Sequence, residues 1–451
     1  MKVSPARKLA LDVLNRVTNE DGYANLAFNS LTRDSKLSAR DKAFAQELAF
    51  GSIRLQNTYD AIIDKVSSRP SNQIDAILKN CLRLGCHQLL QMRVPNHAAI
   101  SETVELVRSS CGEKVVGFAN GILRSVSRKS LPDWFDVLEL NHSSEQFRSI
   151  RYSHPEWVIL ALKQALSADG LHSELTELLE SNNIPALVNL VALPGLASRP
   201  DKSAEISPNR FSPYGFSSSF GNPAEIAGVR EGLVRVQDEG SQLAALALAE
   251  YAPSKQGENW LDLCAGPGGK AALLAALANQ SGVDFQANEL QEHRAKLVED
   301  ALRPVGRFEV SRLDGREIGK VHPSKYDRIL VDAPCTGLGA LRRRPEARWR
   351  KSNDDLKELT ALQFDLVASA LEALMPGGLL MYVTCSPHLS ETTAIVSRAN
   401  KELGCEVLDL TSFMNSKFMI GSLPKGRKTV QLFTHRDGTD SMFMALLRKP
   451  N

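Results

Sequence analysis

Two cysteines carry the most suggestive chemistry in the chain. Asp332-Ala-Pro-Cys-Thr-Gly-Leu-Gly339 follows a short apolar run, and Tyr382-Val-Thr-Cys-Ser-Pro387 contains the end of another. If those runs are neighbouring strands, their ends lie about 5 Å apart, and Cys335 and Cys385 could face one small pocket. A lone free cysteine is most often an inert buried thiol. Two at adjacent strand ends, one preceded by Asp-Ala-Pro, favour a reactive pair. The chemistry that needs such a pair is methylation of a pyrimidine at carbon 5. That carbon is a poor nucleophile until a thiolate adds to carbon 6 and leaves a carbanion. The carbanion can take a methyl group from a sulfonium donor, after which a base removes the carbon-5 proton and the thiolate departs. The site therefore needs an activated thiolate, a donor pocket, and a group on the base edge, which suits Asp332.

A donor pocket has its own candidate. Trp260-Leu-Asp-Leu-Cys-Ala-Gly-Pro-Gly-Gly-Lys270 reads as a strand running into a glycine-rich turn that opens a helix. Gly266, Gly268 and Gly269 let backbone approach a ligand, and the helix start offers unpaired N–H groups. Nucleotides, flavins and S-adenosylmethionine all use such a turn. Pro267 departs from G-x-G-x-x-G and no Walker sequence is present, which disfavours phosphate cradling. Glu289, 25 residues beyond Cys264, ends the next strand, where a carboxylate can accept both ribose hydroxyls. Asp314 ends the third and could bond an adenine edge. Directly after the Asp332 segment comes Leu341-Arg-Arg-Arg-Pro-Glu-Ala-Arg-Trp-Arg-Lys351. Its Arg342, Arg343, Arg344, Arg348 and Arg350 read as a clamp for a phosphate backbone, with Trp349 available to stack.

The elements that would position these residues change along the chain. Over 231–451 strands alternate with helices, the pattern of a mostly parallel α/β sheet. Seven strands are expected, at Asn259–Cys264, Val283–Glu289, Phe308–Leu313, Arg328–Asp332, Leu379–Thr384, Cys405–Leu410 and Met442–Leu447. Such doubly wound folds gather ligands at the C-terminal ends of their strands. Residues 1–135 read instead as helix after helix, with Leu9, Val13, Leu14 and Val17 on one face and Phe44, Leu48, Ala49 and Ile53 on another. Between them, 136–230 reads as a small α+β linking subdomain. It has a strand at Ala186–Leu193, and the Ser/Pro/Gly-rich Ser198–Pro223 is expected as loop.

The 451 residues include 54 Lys and Arg against 52 Asp and Glu, and a net charge of +2 announces no nucleic-acid partner by itself. The average hides unlike parts. Residues 1–130 hold 19 Lys and Arg against 12 Asp and Glu, an electrostatic footprint suited to RNA. Seven thinly spread cysteines fit a reducing cytoplasm better than a disulfide framework. Cys81, Cys86 and His87 fall in an apolar helical run, and no metal is expected. No stretch of eighteen apolar residues exists to span a membrane, and the opening MKVSPARKLALDVLNRV has the helical spacing and the acid, Asp12, that a signal peptide lacks.

Together and in order, Leu-Asp-Leu-Cys-Ala-Gly-Pro-Gly-Gly-Lys, Asp-Ala-Pro-Cys and Thr-Cys-Ser resemble the RNA cytosine-C5 methyltransferases, in particular the bacterial 16S ribosomal RNA RsmB (Sun, Fmu) group. Arg93-Val-Pro-Asn-His-Ala98 and Gly117-Phe-Ala-Asn-Gly-Ile-Leu-Arg124 are similar to the NusB-type helical RNA-binding domain at the front of that group. Ser153-His-Pro-Glu-Trp157 and Val236-Gln-Asp-Glu-Gly-Ser-Gln242 are similar to the segments leading into its catalytic domain. The resemblance implies a Rossmann-like methyltransferase domain using S-adenosylmethionine. Cys264, Ala265, Gly266, Pro267, Gly268, Gly269 and Lys270 would line the cofactor pocket, with Glu289 at the ribose, Asp314 near the adenine, and Asp332 where cofactor and base meet. It also implies Cys385 as nucleophile and Cys335 as the group assisting release, an order that spacing alone does not provide. RNA, 16S ribosomal RNA above all, is the implied partner of a monomeric enzyme. Two departures stand out: Glu289 replaces a commoner aspartate, and Pro387-His388-Leu-Ser-Glu391 replaces the usual acidic pair after Thr-Cys-Ser. His435 reads as structural. The competing readings are a non-catalytic RNA-binding or antitermination-like factor, against which two intact cysteines argue, and methylation of transfer RNA or DNA.

Overall fold

A computed structural model describes residues 3–20, 22–33, 35–219, 223–424 and 426–451. The chain divides into two compact units, Met1–Leu160 with Leu341–Arg350, and Ala161–Ala340 with Lys351–Asn451.

The first unit is helical. On its first helix, Pro5–Asn19, Leu9, Ala10, Val13, Leu14 and Val17 recur at three- and four-residue spacing and are all buried, the stripe that an amphipathic helix turns toward a core. Some polar groups between the helices are paired. Arg83 donates to both oxygens of Asp60 at 2.8 and 2.6 Å, and the Tyr59 hydroxyl lies 2.7 Å from His87 Nδ1. The unit runs past the expected join at 135. Helices Leu131–Glu139 and Ser144–Tyr152 continue it, each opened by a capping box from Ser130 and Ser143 that satisfies the first orphan amides.

The inclusion of Leu341–Arg350 corrects one expectation. Arg348 is fully buried, and its Nη1 donates to the Ser153 carbonyl at 2.9 Å. Burial lowers its pKa to about 9. Arg350 donates to the Gly22 carbonyl and lies 4.8 Å over the Tyr23 ring, with Arg344 at 5.3 Å. Glu346 accepts from the Ala24 N–H at 3.2 Å, and Arg342 and Arg343 are half-buried. A phosphate clamp needs cations free to exchange water for phosphate. Arg348 and Arg350 are committed to carbonyls of the helical unit instead.

The second unit holds two sheets. In the smaller, β1 (Val188–Ala192), β2 (Ile206–Pro208), β3 (Gly215–Ser218) and β4 (Val234–Val236) are antiparallel in the order β2-β3-β1-β4. β2 and β3 lie inside the stretch expected as loop. With three and four residues they show no apolar alternation long enough to read, and pairing defines them. The larger sheet contains β5 (Asn259–Asp262), β6 (Asp284–Asn288), β7 (Glu309–Ser311), β8 (Tyr326–Asp332), β9 (Leu374–Thr384), β10 (Glu406–Val407), β11 (Val430–Gln431) and β12 (Phe443–Arg448). Its order is β10-β12-β9-β8-β5-β6-β7, with β11 paired to β12; the five strands from β9 to β7 are parallel, and β12 runs antiparallel to β9, β10 and β11.

Side-chain alternation divides the core between the sheet's two faces. Trp260, Leu330, Met381 and Val383 pack with helices Glu239–Glu250 and Gly269–Ser281. Leu261, Ile329, Val331, Leu380 and Tyr382 pack on the opposite face with helices Asn353–Ala373 and Thr393–Leu403. Arg328, buried in β8, donates to the carbonyls of Leu248, Ala249 and Ala252 and to Glu258, with its guanidinium 5.0 Å over Trp260. It thus caps the end of helix Glu239–Glu250. From β5 the chain winds outward to β6 and β7, then returns to lay β8 on the other side of β5. That reversal opens a crevice at the C-terminal ends of β5 and β8, where doubly wound folds bind ligands.

Candidate active site

The crevice brings the sequence candidates together. β8 and β9 are parallel neighbours with Asp332 opposite Val383, so the loops after them begin side by side. Cys335 and Cys385 end with their sulfurs 3.3 Å apart, both half-buried. The Gly339 N–H donates to the Cys385 carbonyl at 2.8 Å, and a Cβ at 339 would collide with the carbonyl oxygen of Ser441. A glycine is required there for the two backbones to approach.

Charge around the pair is uneven. Lys270, at the start of helix Gly269–Ser281, donates to Asp332 Oδ2 at 2.7 Å. Burial would lower the Lys270 pKa, but Asp332, with Cys385 and Asp262 beyond it, raises it on balance. The ammonium therefore stays charged within electrostatic reach of Cys385, a setting that favours thiolate. Cys335 moves the other way. Its hydrogen bond to Cys385, its burial and the charges of Cys385 and Glu391 push its thiol well above the ordinary range.

The glycine-rich turn is braced from β6. The Gly266 N–H donates to Glu289 Oε2 at 3.1 Å, the Gln291 N–H to Glu289 Oε1 at 3.0 Å, and Arg294 Nη2 to the Gly266 carbonyl at 2.6 Å. The longer reach of glutamate lets this buried carboxylate touch the turn itself. Gly268 has φ +102°, and a Cβ there would collide with the Ala301 side chain. Asp314 lies beyond β7, where its carboxylate is forked by Arg316 at 2.6 to 3.1 Å. Cys264 is an inert thiol, raised by burial and the nearby acids.

Comparison with known proteins places this geometry. The family model described as 16S rRNA methyltransferase RsmB/F matches residues 249–448, and the NusB family model matches residues 4–128. Rv1407 of Mycobacterium tuberculosis (strain ATCC 25618 / H37Rv), a protein named as a methyltransferase, is 40% identical over 451 residues, covering 99% of this chain and 97% of that one. The chain belongs to the RsmB/F methyltransferase family. Ribosomal RNA small subunit methyltransferase B of Enterobacter sp. (strain 638) is 31% identical over 396 residues, 86% of this chain and 88% of its own length. The crystal structure of PH0851 shares the fold, with a TM-score of 0.77 over 100% of both chains at 21% identity.

This RsmB/F methyltransferase also presents site residues that motif reading passed over. Asp262, the last residue of β5, is fully buried, and neither carboxylate oxygen has a hydrogen-bond partner among the described residues. Burial and the charge of Asp332 push its pKa up to about 8, with the Cys264 amide offering only weak relief. The available signal was an acid between leucines in a strand otherwise built for burial. Gln237, in Val236-Gln-Asp-Glu-Gly-Ser-Gln242, has both amide atoms buried without partners among the described residues and lies against Gly269. Its neighbours in that segment are structural: Glu239 accepts from the Phe211 and Ser212 N–H groups, and Gln242 donates to the Leu190 carbonyl. His435 is structural as well, with Nε2 2.9 Å from Glu174 Oε2. A crevice with orphaned polar atoms and the acids Asp262, Glu289 and Asp332 suits a cationic, polyhydroxylated ligand.

Proposed function

We propose that this protein methylates carbon 5 of a cytidine in 16S ribosomal RNA through a covalent cysteine–C6 adduct, with S-adenosylmethionine as donor. The observation that carries the reading is the Cys335–Cys385 pair, 3.3 Å apart at adjacent strand ends beside the Lys270–Asp332 ion pair. Family membership supports methyl transfer, and the relatives' names support a small-subunit ribosomal RNA substrate. The NusB-family domain and its excess of basic residues support RNA as the partner.

The residues present fit the donor. The buried, partnerless carboxylate of Asp262 and the partnerless amide of Gln237 offer acceptors and donors for an amino-acid moiety. Glu289 has lone pairs left for ribose hydroxyls, and the glycine turn lets backbone approach. When bound, S-adenosylmethionine supplies an electrophilic methyl group. The chain's own groups do the rest. Lys270 favours the Cys385 thiolate, whose sulfur forms a bond to C6 while the C5–C6 π pair moves onto C5. Asp332 holds the base edge and is itself oriented by Lys270. After C5 is methylated, a base, water at its simplest, takes the C5 proton, the C–H pair becomes the C5–C6 double bond, and the C6–S bond breaks with its pair on the Cys385 sulfur. Cys335, protonated while Cys385 is anionic, is placed to stabilise the departing thiolate. A thiol that holds its proton is a poor nucleophile, which supports the implied ranking of Cys385 over Cys335.

Bisulfite sequencing of ribosomal and transfer RNA from a deletion strain tests the reading. Loss of one 5-methylcytosine in 16S ribosomal RNA is expected. Loss confined to transfer RNA would overturn the substrate, and no loss anywhere would overturn the activity.

A further inference from the structure

Glu391 is a buried carboxylate that neither the donor pocket nor the cysteine chemistry uses. It ends the short turn Leu389–Glu391 beyond β9 and is fully buried. Its oxygens accept four hydrogen bonds. Oε1 takes the Thr336 N–H at 2.8 Å and Gln363 Nε2 at 3.1 Å. Oε2 takes the hydroxyls of Thr336 at 2.5 Å and Ser386 at 2.6 Å. None of these donors is charged. Its own carbonyl accepts from the Tyr382 hydroxyl at 2.7 Å, and Gln363 Nε2 also donates to the Pro334 carbonyl at 2.8 Å.

The partners are placed by the chain in a telling way. Thr336 directly follows Cys335 and Pro334 directly precedes it, while Ser386 directly follows Cys385. One side chain therefore ties the loop after β8 to the loop after β9 at the residues flanking both sulfurs. Burying a carboxylate costs several kcal/mol unless its acceptor positions are filled, and here three of the four bonds come from Thr336 and Ser386 in those loops and the fourth from Gln363, which also holds the Pro334 carbonyl. We propose that Glu391 is a positioning residue for the reaction, holding the two cysteine-bearing loops together and setting the approach of Cys335 to Cys385. The proposal rests on the reading of those cysteines as the reacting pair.

An acceptor-only group is needed at this point. Thr336 and Ser386 each have one hydroxyl hydrogen, and both aim it at Oε2. Glutamine of the same shape either turns its NH₂ on the Thr336 N–H and Gln363 Nε2, which cannot accept, or turns it on the two hydroxyls, whose own hydrogens must then find other acceptors; in both cases the charge that shortens these bonds is lost. Glu391→Gln is accordingly expected to slow single-turnover adduct formation on RNA carrying 5-fluorocytidine by about a hundredfold, the scale of misplacing a reacting group by about 1 Å. S-adenosylmethionine affinity should stay within about threefold of wild type, since the donor pocket is untouched. A geometric readout accompanies the kinetic one. With diamide as oxidant, the Cys335–Cys385 disulfide, identified by mass spectrometry, should form about tenfold more slowly, because the bond demands a narrow sulfur geometry. Ser386→Ala removes one anchor with little change of volume and should shift both rates in the same direction by less; it decides the matter if Glu391→Gln does not fold. Wild-type adduct and cross-linking rates in the folded variants would overturn the proposal, as would a loss of adduct rate matched by an equal loss of cofactor affinity. Methyl transfer persisting in Cys385→Ala would overturn the underlying reading instead, and the cross-linking rates would still judge the positioning role.

Discussion

Replacing Asp262 with asparagine should make the free protein more stable as pH rises, while weakening its hold on the donor. Asp262 sits fully buried at the end of β5 with no hydrogen bond to either oxygen among the described residues, and burial, with the charge of Asp332, pushes its pKa up to about 8. An unfolded aspartate has a pKa of roughly 3.9. The folded state therefore keeps a proton that the unfolded state gives up, and stability falls as pH rises from the unfolded toward the folded value. The slope approaches about 1.4 kcal/mol per pH unit, so this one group removes about 3 kcal/mol between pH 5 and pH 8. Asparagine keeps the shape and has no proton to lose. Urea unfolding without cofactor at pH 5, 6.5 and 8 gives the difference between variant and wild type, in which other titrating groups cancel. That difference should move in the variant's favour by about 3 kcal/mol across the range, with unchanged m. The same change removes a carboxylate from the donor pocket, and S-adenosylmethionine should bind about ten- to a hundredfold more weakly at pH 8. A stability difference that is flat with pH would refute a protonated, buried Asp262.

Three further outcomes follow from the same geometry. Gly268→Ala puts a Cβ at φ +102° against Ala301 and should cost about 1–3 kcal/mol, seen as a lowered Tm, with donor binding lost in step as the turn is displaced. Glu289→Ala removes the acceptor of the Gly266 N–H together with the proposed ribose acceptor, and isothermal titration should show the S-adenosylmethionine Kd rising by one to two powers of ten, roughly two charge-assisted hydrogen bonds. Arg348→Ala leaves the Ser153 carbonyl without its donor and should destabilise the protein by about 2 kcal/mol or more. The salt dependence of RNA binding should keep its slope, whereas loss of a phosphate contact would reduce that slope by about one.

How much was legible in the sequence differs by kind of feature. β5, β8 and β9 announce themselves because each carries an apolar run closed by a polar or glycine-rich turn, β6 by its alternation of apolar and polar residues, and the reversal beside β5 then dictates where the site must be. Helix Asn353–Ala373 is equally plain from its length and spacing. β11, two residues long, and β2 and β3 in a Ser/Pro/Gly-rich stretch owe their existence to partners distant in sequence, and local pattern carries no trace of them. At the site, Cys335, Cys385, Asp332 and Glu289 could be named because motif and strand end coincide. The roles of Asp262, Glu391 and Gln237 could not, since burial without a partner, or with four, is a property of the packed molecule. The basic run misled for a related reason. Beside the pocket the run reads as a clamp for a phosphate backbone, while Arg348 is held inside by a carbonyl that only folding delivers.

The covalent mechanism can be tested most directly by trapping. Wild type, Cys385→Ala and Cys335→Ala protein, each incubated with S-adenosylmethionine and unmodified 16S ribosomal RNA, are resolved on denaturing gels for RNA-linked protein. A stable adduct should accumulate with Cys335→Ala, where attack proceeds and release fails, and none should form with Cys385→Ala. An adduct with Cys385→Ala, or methyl transfer that survives its loss, would contradict the account.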